Sequence, residues 1–183
     1  MTETSTSGGA WTEADTEALF NTIGRYVIIF QWIESILDQI LLLAWGYENW
    51  ADSQAKLAKM KNEEKVDAVK EVVLTSPDFT RVHTRPKWCA AFESVICRLH
   101  EERMRRNAIV HSQYLFEIAD AGLAPLRSKR GKSEGKATFD QQPLTKEDQK
   151  KLIGDLAQLA MDVNFVKVQL VHDYQAPFEP LSI

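Results

Sequence analysis

The run from Tyr26 to Trp45 limits the fold more than any other stretch of the chain. Val27, Ile28, Ile29, Phe30, Trp32, Ile33, Ile36, Leu37 and Ile40 to Leu43 leave a helix here with almost no polar face. Such a helix must be covered on more than one side. A membrane is a poor cover, because Gln31, Glu34, Ser35, Asp38 and Gln39 interrupt the run. An ionised side chain at mid-bilayer costs about 2.5–3.5 kcal/mol even on the lenient scale. The expectation is a central helix covered by its own bundle and by a second subunit.

The flanking sequence supplies the rest of that bundle. Thr12-Glu13-Ala14-Asp15 resembles a capping box with Asp in place of Glu or Gln, and Gly46 stops the first helix. Tyr47 to Met60 fits either a short helix or a turn. Asn62 is a good N-cap for a second helix, with Glu63 and Glu64 in its first turn and Val66, Val69, Val72 and Val73 as its core face. Pro77 ends it, and residues 77–86 read as a loop. A third helix runs from about Lys87 to Gln113. Tyr114 to Gln142 loses the helical period and contains Gly122, Pro125, Gly131 and Gly135, which predicts a flexible loop with short strands at Tyr114–Ile118 and Ala137–Phe139. The last helix opens at Thr145, and Leu152, Leu156, Leu159, Val163, Val166 and Leu170 keep four-three spacing along it. The fold class expected is all-α: an antiparallel bundle of four main helices, with a long basic loop or small hairpin inserted before the last helix. Residues 12–172 form one domain, 1–11 a disordered tail and 173–183 an irregular tail.

A chain of 183 residues, 44% apolar and 26% charged, suits one globular domain. The net charge of -4 carries no global signal for nucleic acid, so any RNA contact must come from a local cluster. Arg127, Lys129, Arg130, Lys132 and Lys136 form one such run against a single acid, Glu134. Cys89 and Cys97 lie about 12 Å apart along one predicted helix, beyond disulfide reach, which points to reduced thiols and a cytoplasmic setting. Met1 to Ala10 has no apolar core of a targeting peptide. Cys97-x-x-His100 has no second ligand pair, so no metal site is expected. Gly-rich phosphate loops and Gly-x-Ser-x-Gly are absent from the sequence.

The chemistry-bearing stretch is Arg103 to His111. Trp88, Phe92, Val95 and Leu99 mark a buried helix face; the same spacing next reaches Glu102 and Arg106, and then Ile109 or Val110. Charge thus stands where the pattern asks for core. Arg103, Asn107 and His111 step by four and share a stripe, whereas Arg106 lies about 140° from His111 and must bend to reach it. Histidine moves protons near neutral pH, arginine holds phosphate oxygens bidentately, and asparagine orients either. A structural reading stands beside this one: Arg106 as an ion-pair partner of Glu34, Glu102 or Asp38, and His111 as a hydrogen-bonded helix-end residue.

Arg106-Asn107-Ala108-Ile109-Val110-His111 resembles the Arg-x4-6-His motif of HEPN domains in its Arg-Asn-x-x-x-His form. The helix order is similar too, over roughly residues 12–172. The resemblance implies a metal-independent endoribonuclease, a toxin or defence component, that cuts RNA by 2′-hydroxyl attack and needs no cofactor. It implies a homodimer with the site at the subunit interface. It assigns acid/base work to His111, phosphate charge stabilisation to Arg106 and positioning to Asn107. Arg103, Glu102, Glu34 and Asp38 are candidate supporting residues, and Arg127, Lys129, Arg130, Lys132 and Lys136 the candidate RNA track. RNA and a nucleotidyltransferase-type antitoxin are the partners it suggests. The alternative is a non-catalytic HEPN-like module that binds nucleotide or another protein.

Overall fold

The computed structural model describes residues 11–115, 126–133 and 136–174. The expectations for the two tails at 1–10 and 175–183, and for a strand at 116–118, lie outside these residues. The described residues are mostly helical: α1 Glu13–Trp45, α2 Trp50–Leu57, α3 Asn62–Thr75, α4 Thr80–His83, α5 Pro86–Val110 and α6 Lys146–His172. Strands β1 Gln113–Leu115, β2 Leu126–Ser133 and β3 Lys136–Pro143 form an antiparallel sheet in that order.

Local chemistry explains most boundaries. Thr12 and Asp15 bond reciprocally at the start of α1, with the Thr12 amide 3.0 Å from the Asp15 carboxylate and the Asp15 amide 3.3 Å from the Thr12 hydroxyl. Thr145 and Asp148 repeat the device before α6, at 3.2 Å in both directions. Gly46 ends α1 at φ 80°, a left-handed conformation that glycine takes without a Cβ penalty.

Other boundaries differ from the sequence reading. Asn62 is not the cap of α3. The Lys61 amide donates to Glu64 at 2.7 Å, and the Asn62 amide group reaches Glu34 at 3.1 Å instead. Residues 77–86 are not a plain loop: a 3-10 turn at Pro77–Phe79 leads into α4, and Phe79 and Val82 are fully buried there. The third long helix stops at Val110, before the expected Gln113, because the chain turns into β1. Of the two expectations for the basic run, loop or small hairpin, the hairpin is the one that forms. Arg127 to Ser133 lie within β2 and all pair with β3, and Arg127 and Ser128 pair with β1 as well; Tyr114 stands opposite Arg127, and Lys129 opposite Asp140. Backbone pairing with β3 along the whole strand overrides the weak strand propensity of that sequence.

The chain divides into two compact units, Met1–Val27 with Arg106–Gly154, and Ile28–Arg105 with Asp155–Ile183. The first holds the start of α1, the end of α5, the sheet and the start of α6. Its links include Lys146 to Asp15 at 2.7 Å and the Thr22 hydroxyl to Gln149 at 3.1 Å. The Lys146 hydrogen bond holds the Asp15 carboxyl below its ordinary value.

The second unit is a helical core built on Ile33, Ile36, Leu37, Ile40 and Leu41 of α1, Val66 and Val69 of α3, Phe92 and Leu99 of α5, and Leu156, Leu159 and Val163 of α6. Polar pairs fix the helix directions within it. Glu34–Asn62 and Asp38–Lys65 rise together along α1 and α3, as do Gln39–Lys167 and Leu43–Tyr174 along α1 and α6. Glu63–Arg103 and Asp67–His100 run oppositely along α3 and α5, as do Arg85–Asp173 and Arg98–Asp162 along α5 and α6. In this unit α5 is therefore antiparallel to both α3 and α6. Desolvation pushes the Asp173 carboxyl up, but its bonds to Arg85 and His172 outweigh this and leave it lowered.

Among the described residues one helix, α1, is long and apolar enough to cross a membrane by length and composition. The core helix of a bundle meets the same test, and 44% of its apolar window is buried inside the protein.

Candidate functional site at the end of α5

The face that runs down α5 keeps its spacing to the end. Phe92, Val95 and Leu99 are buried, Glu102 follows at 5% exposure, Arg106 is half-buried, and Ile109 closes the series at 1%. Ile109, rather than Val110, resumes the apolar stripe; Val110 faces out.

The last turn of α5 brings the three motif residues together. Arg106 Nη1 donates to Asn107 Oδ1 at 3.1 Å and lies 3.3 Å from His111 Nε2. A guanidinium can only donate, so this contact uses the Nε2 lone pair, which places the ring proton on Nδ1. Arg106 thus bends round the helix to the stripe that Asn107 and His111 share. Asn107 and His111 are exposed. The asparagine holds the arginine here, not the histidine.

The turn is closed by side chains that sequence reasoning missed. The His111 amide donates to the Asn107 carbonyl at 3.1 Å, the Ser112 hydroxyl to the Ala108 carbonyl, and the Tyr114 hydroxyl to the Ile109 carbonyl at 2.9 Å. Three successive carbonyls, orphaned where a helix stops, are satisfied in this way. Burial raises the Tyr114 hydroxyl above its ordinary value, and Arg127 opposes that rise. The first residue of the basic run therefore stands beside the tyrosine that anchors the end of α5. The signal in the sequence was a hydroxyl at each of two positions just past the helix end, which becomes informative only once the end is placed at Val110.

The remaining predicted residues are engaged elsewhere. Arg103 pairs with Glu63 at 2.7 Å, Glu102 with Arg105 at 3.1 Å, Glu34 with Asn62 and Asp38 with Lys65, all within the second unit. Lys129, Arg130 and Lys132 occupy β2, and Lys136 opens β3. His100 Nε2 lies 3.2 Å from Asp67, and Cys89 and Cys97 are free thiols. Among the described residues no group of three or more His, Cys, Asp or Glu side chains is arranged to hold a metal ion.

No protein-family model, no curated protein and no solved structure matches this chain.

Proposed function

We propose that the last turn of α5 is the centre of a HEPN-like, metal-independent endoribonuclease, a toxin or defence component that works as a homodimer on RNA. The observation that carries this reading is the contact of one arginine nitrogen with both Asn107 and His111. A short motif could have scattered these side chains around the helix; instead they converge on one exposed point.

The chemistry follows from the residue types. His111 Nε2 takes the proton of a ribose 2′-hydroxyl when Arg106 moves from the ring to the phosphate. The 2′-oxygen attacks phosphorus, the bond to the 5′-oxygen breaks, that oxygen takes a proton from water, and His111 gives its own proton back to the solvent. The products are a 2′,3′-cyclic phosphate and a 5′-hydroxyl. Arg106 stabilises charge on the phosphate oxygens, and Asn107 sets the arginine's position. Arg127 and the basic positions of β2 and β3 track the backbone. The four main helices α1, α3, α5 and α6 form the HEPN-like bundle, with α5 antiparallel to its neighbours.

A second reading is favoured by the same contact. Arg106 occupies the lone pair that a general base must keep open, which suits a module that binds nucleotide or protein without turnover. Cleavage of a mixed RNA pool in EDTA, by wild type and His111→Ala, separates the two. The expected outcome is cutting by wild type, with cyclic-phosphate ends, and a loss of about 10²–10⁴-fold in the variant. No cutting by folded wild type rejects the nuclease.

A further inference from the structure

Helix α6 is apolar on two opposite faces. One is the buried seam Leu152, Leu156, Leu159, Val163, Val166 and Leu170. The other is turned half a revolution away and consists of Ala157, Met161, Asn164, Phe165, Val168 and Val171. Met161 is 63% exposed, Phe165 62%, Val168 51% and Val171 48%. A surface helix normally turns a charged face to water. Here no Asp, Glu, Lys or Arg lies on that face between Ala157 and Val171. The nearest charges are drawn aside: Asp162 pairs with Arg98 of α5, and the Lys167 ammonium donates to Gln39 of α1 at 3.2 Å.

We propose that this outer face of α6 is the contact surface for a second copy of the chain, on a two-fold axis passing beside Asn164. Three observations select an identical copy. The face is neutral, so it has no charge pattern with which to choose an acidic or basic partner. Its one central polar group is an amide, which donates and accepts at once and so pairs with its own symmetry mate; a two-fold interface demands such self-complementarity. A lone Asn within an apolar helix seam is also a known device for fixing register and copy number.

The area agrees. Ile28 and Trp32 of α1 are 68% and 47% exposed, on the same side of α1 as Gln39, which touches Lys167. At roughly 150–250 Å² per large side chain, they and the α6 residues offer about 600 Å² of apolar surface. A standard dimer buries about 800 Å² per partner, some two-thirds of it apolar. On the other flank, α5 and α6 enclose a groove of about 330 Å³ lined by Trp88, Phe92, Val95, Phe165 and Val166, together with the Arg98–Asp162 ion pair. Trp88 and Phe92 stack there at 5.2 Å. The groove receives an apolar side chain of the second copy.

The proposed function already takes a homodimer, and the inference here is the face on which the copies meet; a dimeric protein without activity leaves it standing. Sedimentation of the full chain tests it. Wild type is expected at twice 20.8 kDa. Phe165→Glu, and independently Val168→Glu, are expected to weaken self-association by roughly 30-fold or more, as for an interface hot spot. Both side chains are largely exposed, so each variant should keep the helical circular dichroism of wild type. In a Cys89→Ser, Cys97→Ser background, Asn164→Cys should oxidise to a covalent dimer and Glu71→Cys, on the exposed side of α3, should not. A monomeric wild type, a dimer untouched by both glutamates, or equal crosslinking from residues 71 and 164 overturns the proposal. The first of these outcomes would give the face to a different protein.

Discussion

Helix α5 uses its arginines in two ways. Up to Arg105 each one meets a carboxylate: Arg98 pairs with Asp162, Arg103 with Glu63, and Arg105 with both Glu102 and Asp155. One residue later the pattern changes. Arg106 bonds within its own turn, to Asn107 and towards His111. The two regions share a helix and a residue type, so the difference lies in what surrounds them. An arginine opposite an acid on a packed neighbour is tied to the stability of that packing. An arginine gathered with a histidine and an amide at a helix end is, under the proposed function, the one that meets a ligand.

The sharpest way to break this contrast is to truncate the two arginines side by side. Under the proposed function, Arg106→Ala should lower RNA cleavage by about 10²–10³-fold, with a smaller shift of the urea midpoint than Arg105→Ala produces. If the variant cuts normally and unfolds early, Arg106 belongs with the structural arginines.

Arg105→Ala should do the reverse. It removes one partner of Glu102, whose side chain is only 6% exposed. Losing one member of a fully buried pair costs about 3–5 kcal/mol. The 41% exposure of Arg105 reduces this to about 2 kcal/mol after solvent screening. Urea unfolding measures it, and Glu102→Gln in the same background should recover part of the loss. An unchanged midpoint would mean that the Glu102 carboxylate is satisfied without Arg105.

The smallest effect belongs to the link between α5 and the sheet. Tyr114→Phe removes one hydrogen bond to the Ile109 carbonyl, worth about 1 kcal/mol. It should also change the pH dependence. The native phenol is raised above the ordinary 10.0. Its contribution is therefore complete below pH 10 and is lost as pH climbs through the raised native value, because the unfolded chain gives up its proton first. Thermal melts from pH 9 to 11 should show a decline in wild type that the phenylalanine variant lacks.

Much of this was legible in the chain itself. The two Thr–Asp caps, the Gly46 stop, the α6 seam and the α5 face through Glu102 and Arg106 all follow from residues within one or two turns of each other. Local chemistry and helical period suffice for them, because the partners are already neighbours along the chain. The convergence of Arg106, Asn107 and His111 was half legible: spacing placed two of them together, and only the bend of a long side chain supplied the third.

What tertiary structure alone decided depends on partners distant in sequence. Asn62 reads as a cap until Glu34 offers a better acceptor across to α1. The basic run reads equally as a loop or a small hairpin until β3 pairs along its whole length and β1 at one end. Arg103, equivalent to Arg106 by composition, is separated from it in role by the position of Glu63. In each case several local states lie within a kcal/mol or so of one another, and the choice falls to whichever contact the folded chain brings within hydrogen-bonding distance.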